Sequence, residues 1–295
     1  HSNDWRLNIL SESGVLSSID DLLENLKSSG VKLDKNVEYA FKSVNIEDFV
    51  DYSVEGFWQD KPVTFMTTMA GAEKNISAPH MIATLLHHLE IRNGQHFLLI
   101  GSKGGYLAAI LDQLLGINGI VTIIEPHNEV LEHTIDTLEK YNSKGIIRVL
   151  SASSMDYFED FEKPVDRVLI TGAIREIPEF LEVVLQDGAF VLGPFGGTIQ
   201  QRLLKREKNS NQWLDTDLGG VVFGPMDTFS AERNPLDPYV LAENLEDSLT
   251  LMSDIIEINE TIYQSIEQLI ISLRELPRDI PPISEETSEE EILEH

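Results

Sequence analysis

No cysteine occurs among the 295 residues. Disulfides, a cysteine-ligated zinc and a thiol nucleophile are therefore excluded. Positive charge is also scarce: 22 Lys and Arg stand against 50 Asp and Glu, a formal charge of −28. A phosphate backbone needs a basic face, so no nucleic-acid partner is expected. No run of about 18 apolar residues occurs, and no membrane partner is expected. The opening HSNDWRLNIL lacks the apolar core of a signal peptide, which makes a cytoplasmic protein the expectation. What remains is 42% hydrophobic and 24% charged residues, the make-up of a globular chain with a sizeable core. The length suits one large domain, or one domain with an appendage, at roughly 100–200 residues per domain.

The charge is unevenly spread. From Thr228 to the end there are 17 Asp and Glu and 3 Arg, so half of the net charge sits in under a quarter of the chain. Pro225, Pro235 and Pro238 cluster at the same boundary. Beyond it, Ile255, Ile258, Ile262, Ile266, Leu269, Leu273 and Leu276 recur at steps of three and four, with Leu241, Leu245, Leu249 and Met252 before them. This spacing predicts one long helix or a pair, ended by Pro277. Its apolar stripe packs either on its own domain or on a partner, including a second copy in a homo-oligomer; spacing alone does not choose. The terminal SEETSEEEILEH reads as a solvated acidic tail. At the other end, Ile19, Leu22, Leu23 and Leu26 give a helical face that Gly30 breaks. The expected organisation is a helical segment over 1–60, a core over 61–230 and an acidic helical extension over 231–295.

Within the core, short apolar runs at 96–100, 120–124, 146–150, 165–171 and 189–192 read as strands. Helical stretches at 106–115, 128–141 and 177–185 lie between them, and 199–205 and 219–223 read as antiparallel additions. Alternation at this spacing predicts an α/β fold, a mainly parallel sheet covered by helices, whose ligands bind beyond the carboxyl ends of the strands. The first strand ends in Gly101-Ser102-Lys103-Gly104-Gly105, and Glu125 follows Gly101 by 24 residues at the end of the second. Glycines there allow a tight turn and a close ligand approach, and an acid at that distance can accept hydrogen bonds from both ribose hydroxyls. The pair reads as an adenosine site, or as a tight turn without a ligand. The eight histidines show no metal spacing.

Residues 76–81, ISAPHM, are more specific. They resemble a segment of the protein-L-isoaspartate O-methyltransferases. The similarity extends to the helices over 19–50, the loop LLIGSKGGYL at 98–107, VDRVLITGAIREIP at 165–178, the Asp187-Gly188 and Gly196-Gly197 turns, and GGVVFGPMD at 219–227. The resemblance implies a Rossmann-like methyltransferase fold with a seven-stranded mixed sheet. It implies S-adenosylmethionine as cofactor and an isoaspartyl carboxylate in damaged protein, or a modified peptide, as acceptor. It places Ser77 beside the transferred methyl, where a hydroxyl could orient the carboxylate; an N-cap for a helix starting near Pro79 is an equally natural role. His80, inside the same run, reads as a helix-start packing residue rather than a base, since such a methyl transfer needs none; Asp166 matches a family acid before the fourth strand, or serves as an edge cap. The resemblance places Gly101, Ser102, Lys103, Gly105, Glu125 and Ala152 around the cofactor.

Three positions depart from the family pattern. Leu99 stands where an acid holds the methionine end, Lys103 where the loop has a second glycine, and Ala152 where an Asp meets the adenine amino group. A hydrogen bond to a charged group contributes roughly 1.5–3 kcal/mol, so losing two weakens affinity about a hundred- to ten-thousandfold. Lys103 offers a counter-charge for the cofactor carboxylate, or turns the loop towards another anion. Ala173-Ile174-Arg175 replaces an Ala-Ala-Pro turn near the substrate. Two readings follow: an active O-methyltransferase, or a catalytically impaired relative with a degraded cofactor site that serves in binding or oligomerisation.

Overall fold

The computed structural model describes residues 18–152, 163–197, 200–224, 226, 238–255 and 258–276. The acidic tail, Pro225, Pro235 and Ser153 lie outside them. The chain forms two compact units, one of residues 1–95, 102–121 and 129–147 and one of residues 96–101, 122–128 and 148–295.

The first unit opens with α1 (Ile19–Ser28) and α2 (Lys35–Ser43). Ser18 and Asp34 cap them, Asp34 accepting N–H bonds from Asn36 and Val37 at 2.9 Å each. The expected face of α1 is inside: Leu22, Leu23 and Leu26 are buried. A short 3-10 turn (Ile46–Phe49) and α3 (Glu55–Trp58) lead to the antiparallel pair β1 (Val63–Thr67) and β2 (Glu73–Ile76), which the sequence pattern did not announce. Then come α4 (Pro79–Leu89), α5 (Tyr106–Leu115) and α6 (Asn128–Lys140). Phe49 and Phe57 each lie edge-on to the fully buried Tyr106 ring, at 5.7 and 5.6 Å, and mark the aromatic centre of this unit.

The strands are β3 (His96–Ile100), β4 (Ile120–Glu125), β5 (Ile146–Ser151), β6 (Val165–Ile170), β7 (Leu185–Gly196), β8 (Gln201–Asn209) and β9 (Gln212–Val221). They form one seven-stranded sheet in the order β5-β4-β3-β6-β7-β8-β9. β3, β6 and β7 run parallel, and β8 and β9 are antiparallel additions, so the sheet is mixed as the resemblance implies. Leu98, Ile100, Val168, Ile170, Val191 and Phe195 belong to its buried apolar cluster.

Boundaries shift where tertiary pairing overrides local pattern. The helix expected over 177–185 is only α7 (Phe180–Val184), because β7 begins at Leu185 and pairs with both β6 and β8. β8 and β9 extend to a tight turn at Ser210, whose φ is +56°. Charge hid the length of this hairpin beyond the expected 199–205 and 219–223: Arg206 sits opposite Asp215 in register and pairs with it at 2.8 Å.

The extension is a helix pair, α8 (Pro238–Ile255) and α9 (Glu260–Glu275), with Asn259 capping the second. Ala242, Leu249 and Ile270 form its buried seam, with Leu245, Ile266 and Leu273 packed against it. Ile262, Leu269 and Leu276, expected in the same stripe, are instead about half exposed. These three recur every seven residues and so share one side of α9, while Ile266 and Leu273 recur on the side that packs into the seam.

Candidate functional site

In the second unit the site begins where β3 ends. The Gly101 N–H donates to the Ile124 carbonyl at 2.9 Å, which sets the ends of β3 and β4 side by side. Gly101 has φ +86°, and a Cβ there would lie 2.3 Å from Thr171 Oγ1, so no other residue fits. Thr171, just past β6, is buried with Oγ1 within 2.9 Å of the Gly101 carbonyl. Three strand ends therefore converge on one short stretch of backbone. Leu99 is fully buried in β3 opposite Leu169 and presents no polar group.

Glu125 ends β4 and is only 4% exposed. Its Oε1 accepts the His127 N–H at 2.9 Å. The His127 Nδ1 is itself buried and has no hydrogen-bond partner among the described residues. Buried polar atoms are almost always satisfied. Such an atom two residues from a buried carboxylate fits a polar ligand. Ala152 follows β5 and is buried, contributing a methyl group and no acceptor.

In the first unit the rest of the loop turns through three consecutive left-handed residues, Lys103 at φ +48°, Gly104 at +74° and Gly105 at +94°. A Cβ on Gly104 would meet the Phe65 ring at 2.7 Å. Lys103 keeps the backbone of a glycine although its side chain makes that conformation unfavourable. The Ser102 hydroxyl is buried 2.7 Å from Thr134 Oγ1 on α6, which in turn donates to the Val130 carbonyl. Thr137 Oγ1 donates to the Gly104 carbonyl at 2.9 Å. The loop is thus held from α6, with Gly105 in the N-cap position of α5.

β2 lies against the Lys103–Gly105 turn and runs directly into Ser77. Ser77 is half-buried, and it is not the cap of α4: Ala78 holds that position and provides no side-chain bond. His80 is not a packing residue either. It is exposed and paired with Asp60, whose two carboxylate oxygens meet its N–H at 2.8 Å and its Nδ1 at 3.0 Å. Sequence reasoning missed Asp60; the only signal was a lone acid before Pro62. Asp166, at the start of β6, accepts the N–H of His96 at the start of β3 at 2.8 Å, and so caps the beginnings of two central strands. Among the described residues, no three His, Asp or Glu side chains are gathered where they could hold a metal ion, and no helix is long and apolar enough to cross a membrane.

The sequence profile of the protein-L-isoaspartate(D-aspartate) O-methyltransferase family matches residues 17–229. A protein-L-isoaspartate O-methyltransferase of Methanococcus maripaludis is 30% identical over 212 residues, 72% of this chain and 96% of the relative. That of Methanococcus vannielii is 31% identical, over 72% of this chain and 98% of the relative. Among solved structures, a protein-L-isoaspartate O-methyltransferase aligns with TM-score 0.63 at 19% identity, over 77% of this chain and 70% of its own. One from Plasmodium falciparum, in complex with S-adenosyl-L-homocysteine, aligns with TM-score 0.58 at 20% identity, over 72% of this chain and the whole of its own. These two structural matches bear on the fold. Helices α8 and α9 lie outside the span that the family profile matches.

Proposed function

The chain belongs to the protein-L-isoaspartate(D-aspartate) O-methyltransferase family, and we propose that it methylates the side-chain carboxylate of isoaspartyl residues in proteins or peptides with S-adenosylmethionine as donor. What carries this reading is the family match over 17–229, which takes in both the ISAPHM run at 76–81 and the glycine loop at 101–105. Relatives at about this identity are methyltransferases over nearly their whole length, so a non-catalytic binding protein is the less favoured reading.

We assign the ribose to Glu125, the buried acid at the end of β4, 24 residues after Gly101, whose Oε1 accepts the His127 N–H. The unpartnered Nδ1 of His127 is assigned to the same adenosine end. Gly101 lets the backbone turn at the end of β3, Gly105 lets it pass close to Thr137 and Leu138, and Ser102 supports the loop through Thr134. Lys103 is assigned to the carboxylate of the cofactor's methionine end, a contact that does not replace the acid absent at Leu99. The cofactor supplies an activated sulfonium methyl. The acceptor carboxylate is its own nucleophile, so no base or metal is required of the protein. The protein's contribution is orientation, and Ser77 is the hydroxyl we assign to aim one carboxylate oxygen.

Calorimetric titration with S-adenosylmethionine and S-adenosylhomocysteine, followed by transfer of labelled methyl to an isoaspartyl peptide and to its aspartyl twin, tests the reading. Binding of both ligands and labelling of the isoaspartyl peptide alone are expected. Glu125→Ala should weaken cofactor binding by about ten- to a hundredfold, the loss of one charge-assisted hydrogen bond. Unchanged affinity would remove Glu125 from the ribose, and absence of any methyl transfer from the wild-type protein would overturn the function.

A further inference from the structure

Helix α4 begins without the cap its sequence suggests. Pro79 has no N–H, Ala78 has no side-chain acceptor, and Ser77 stands one residue too early. The donor left over is the His80 N–H, and it is taken by Asp60 from 20 residues upstream, at 2.8 Å. The second carboxylate oxygen of Asp60 lies 3.0 Å from the ring Nδ1 of the same histidine. Asp60 is itself constrained. It adopts φ +57° in the turn after α3. Its N–H donates to the Phe57 carbonyl, and the Lys61 N–H to that of Gly56. Phe57 is fully buried against Tyr106. The aromatic centre thus fixes the turn, the turn fixes Asp60, and Asp60 fixes the first turn of α4. With the capping done from a distance, the Ser77 hydroxyl is left out of the helix start.

We propose that Asp60 is a positioning residue for methyl transfer: it sets the place of Ser77 through His80 and the start of α4. The proposal rests on Ser77 being the acceptor-side hydroxyl. A cap supplied by Ser77 would leave the Asp60 turn and the helix start independent of each other. A cap supplied by Asp60 joins them into one frame, and an orienting group displaced by about 1 Å can lose about a hundredfold in rate.

The test compares kcat and KM on an isoaspartyl peptide for the wild type, Asp60→Ala, Asp60→Asn, Ser77→Ala and the Asp60→Ala/Ser77→Ala pair. Asp60→Ala should lower kcat about tenfold or more, with cofactor affinity within about twofold of wild type. Asn keeps an oxygen for the His80 N–H and should restore most of the rate. In the Ser77→Ala background, Asp60→Ala should remove less than about twofold more, because its route of action is already gone. An equal loss in both backgrounds, or Asn as poor as Ala, overturns the proposal. Hydrogen exchange gives a readout without turnover. The His80 amide should exchange about tenfold faster in Asp60→Ala while the β3 amides stay unchanged, and unaltered exchange at His80 overturns the proposal as well. A wild-type protein that labels no isoaspartyl peptide overturns the function proposed above, whatever His80 does.

Discussion

Lys103 shows how much one residue can carry. It occupies a left-handed backbone between a buried serine and two glycines, a conformation that costs a side-chain-bearing residue about 1–2 kcal/mol. Glycine would remove that strain at an entropic cost of about 0.5–1 kcal/mol. Lys103→Gly should therefore raise stability slightly, by up to about 1 kcal/mol in denaturant unfolding, while Lys103→Ala, which keeps the strain, should not. If Lys103 also neutralises the cofactor carboxylate, both variants should weaken S-adenosylmethionine binding. A stabilised Lys103→Gly with unchanged cofactor affinity would show the lysine to be merely tolerated. Gly101→Ala has no such latitude, with Thr171 Oγ1 at 2.3 Å from the new carbon, and should fail to fold or lose more than about 2 kcal/mol.

His96 is the residue to watch in acid. Its Nδ1 faces the Lys163 carbonyl at 2.8 Å and must donate, so its Nε2 accepts from Thr122. Burial, the largest influence, pushes its pKa below the usual 6.5. The unfolded chain then takes up the proton before the folded one, so this contribution is complete above about pH 6.5 and is lost as pH falls through the folded pKa. Thermal melts should show a decline below pH 6.5 that is shallower in His96→Gln.

At the scale of elements, the buried Asp112 on α5 gathers the loop after α6. It accepts the Tyr141 hydroxyl at 2.9 Å and the N–H groups of Lys144 and Gly145 at 2.8 Å each. Asp112→Ala takes the acceptor from two backbone N–H groups, while the Tyr141 hydroxyl keeps the Ala109 carbonyl at 3.2 Å, and should cost about 2 kcal/mol or more, read as a lowered midpoint in urea. The sequence shows why some elements were legible and others were not. Strands β3 and β4 are continuous apolar runs because they are buried on both faces. Glycines mark the loop between β3 and α5. Strand β8, QRLLKREKN, and the first half of β9 carry their pairing in cross-strand charge, which no hydrophobic period reveals. The loop residues stood out in the sequence because clustered glycines mark a tight turn and the acid follows them at a set distance. Asp60 could not, since its partner lies 20 residues away and only folding brings them together. For the same reason Ser77 reads as a cap until Ala78 is seen in that position.

For the molecule as a whole, charge dominates. A formal −28 over 295 residues repels itself in the compact state. Screening shortens the reach of that repulsion to about 8 Å at physiological ionic strength and about 3 Å at 1 M. Raising sodium chloride from about 20 mM to 500 mM should therefore raise the melting temperature. A fall would mean that the ion pairs Arg175–Glu243, Arg202–Asp217 and Arg206–Asp215 outweigh the repulsion.

The same charge bears on the last strand of the sheet. β9 stands at the end of the strand order, and Asp215 and Asp217 alternate along it. A strand at a sheet margin is a template on which other chains can add, and charged side chains are the ordinary defence. The Arg202 side chain, hydrogen-bonded to Asp217, holds its carboxyl below the usual range, so that guard outlasts mild acid. The carboxylates that pair β8 with β9 thus also place charge along a margin where another chain's strand would have to add.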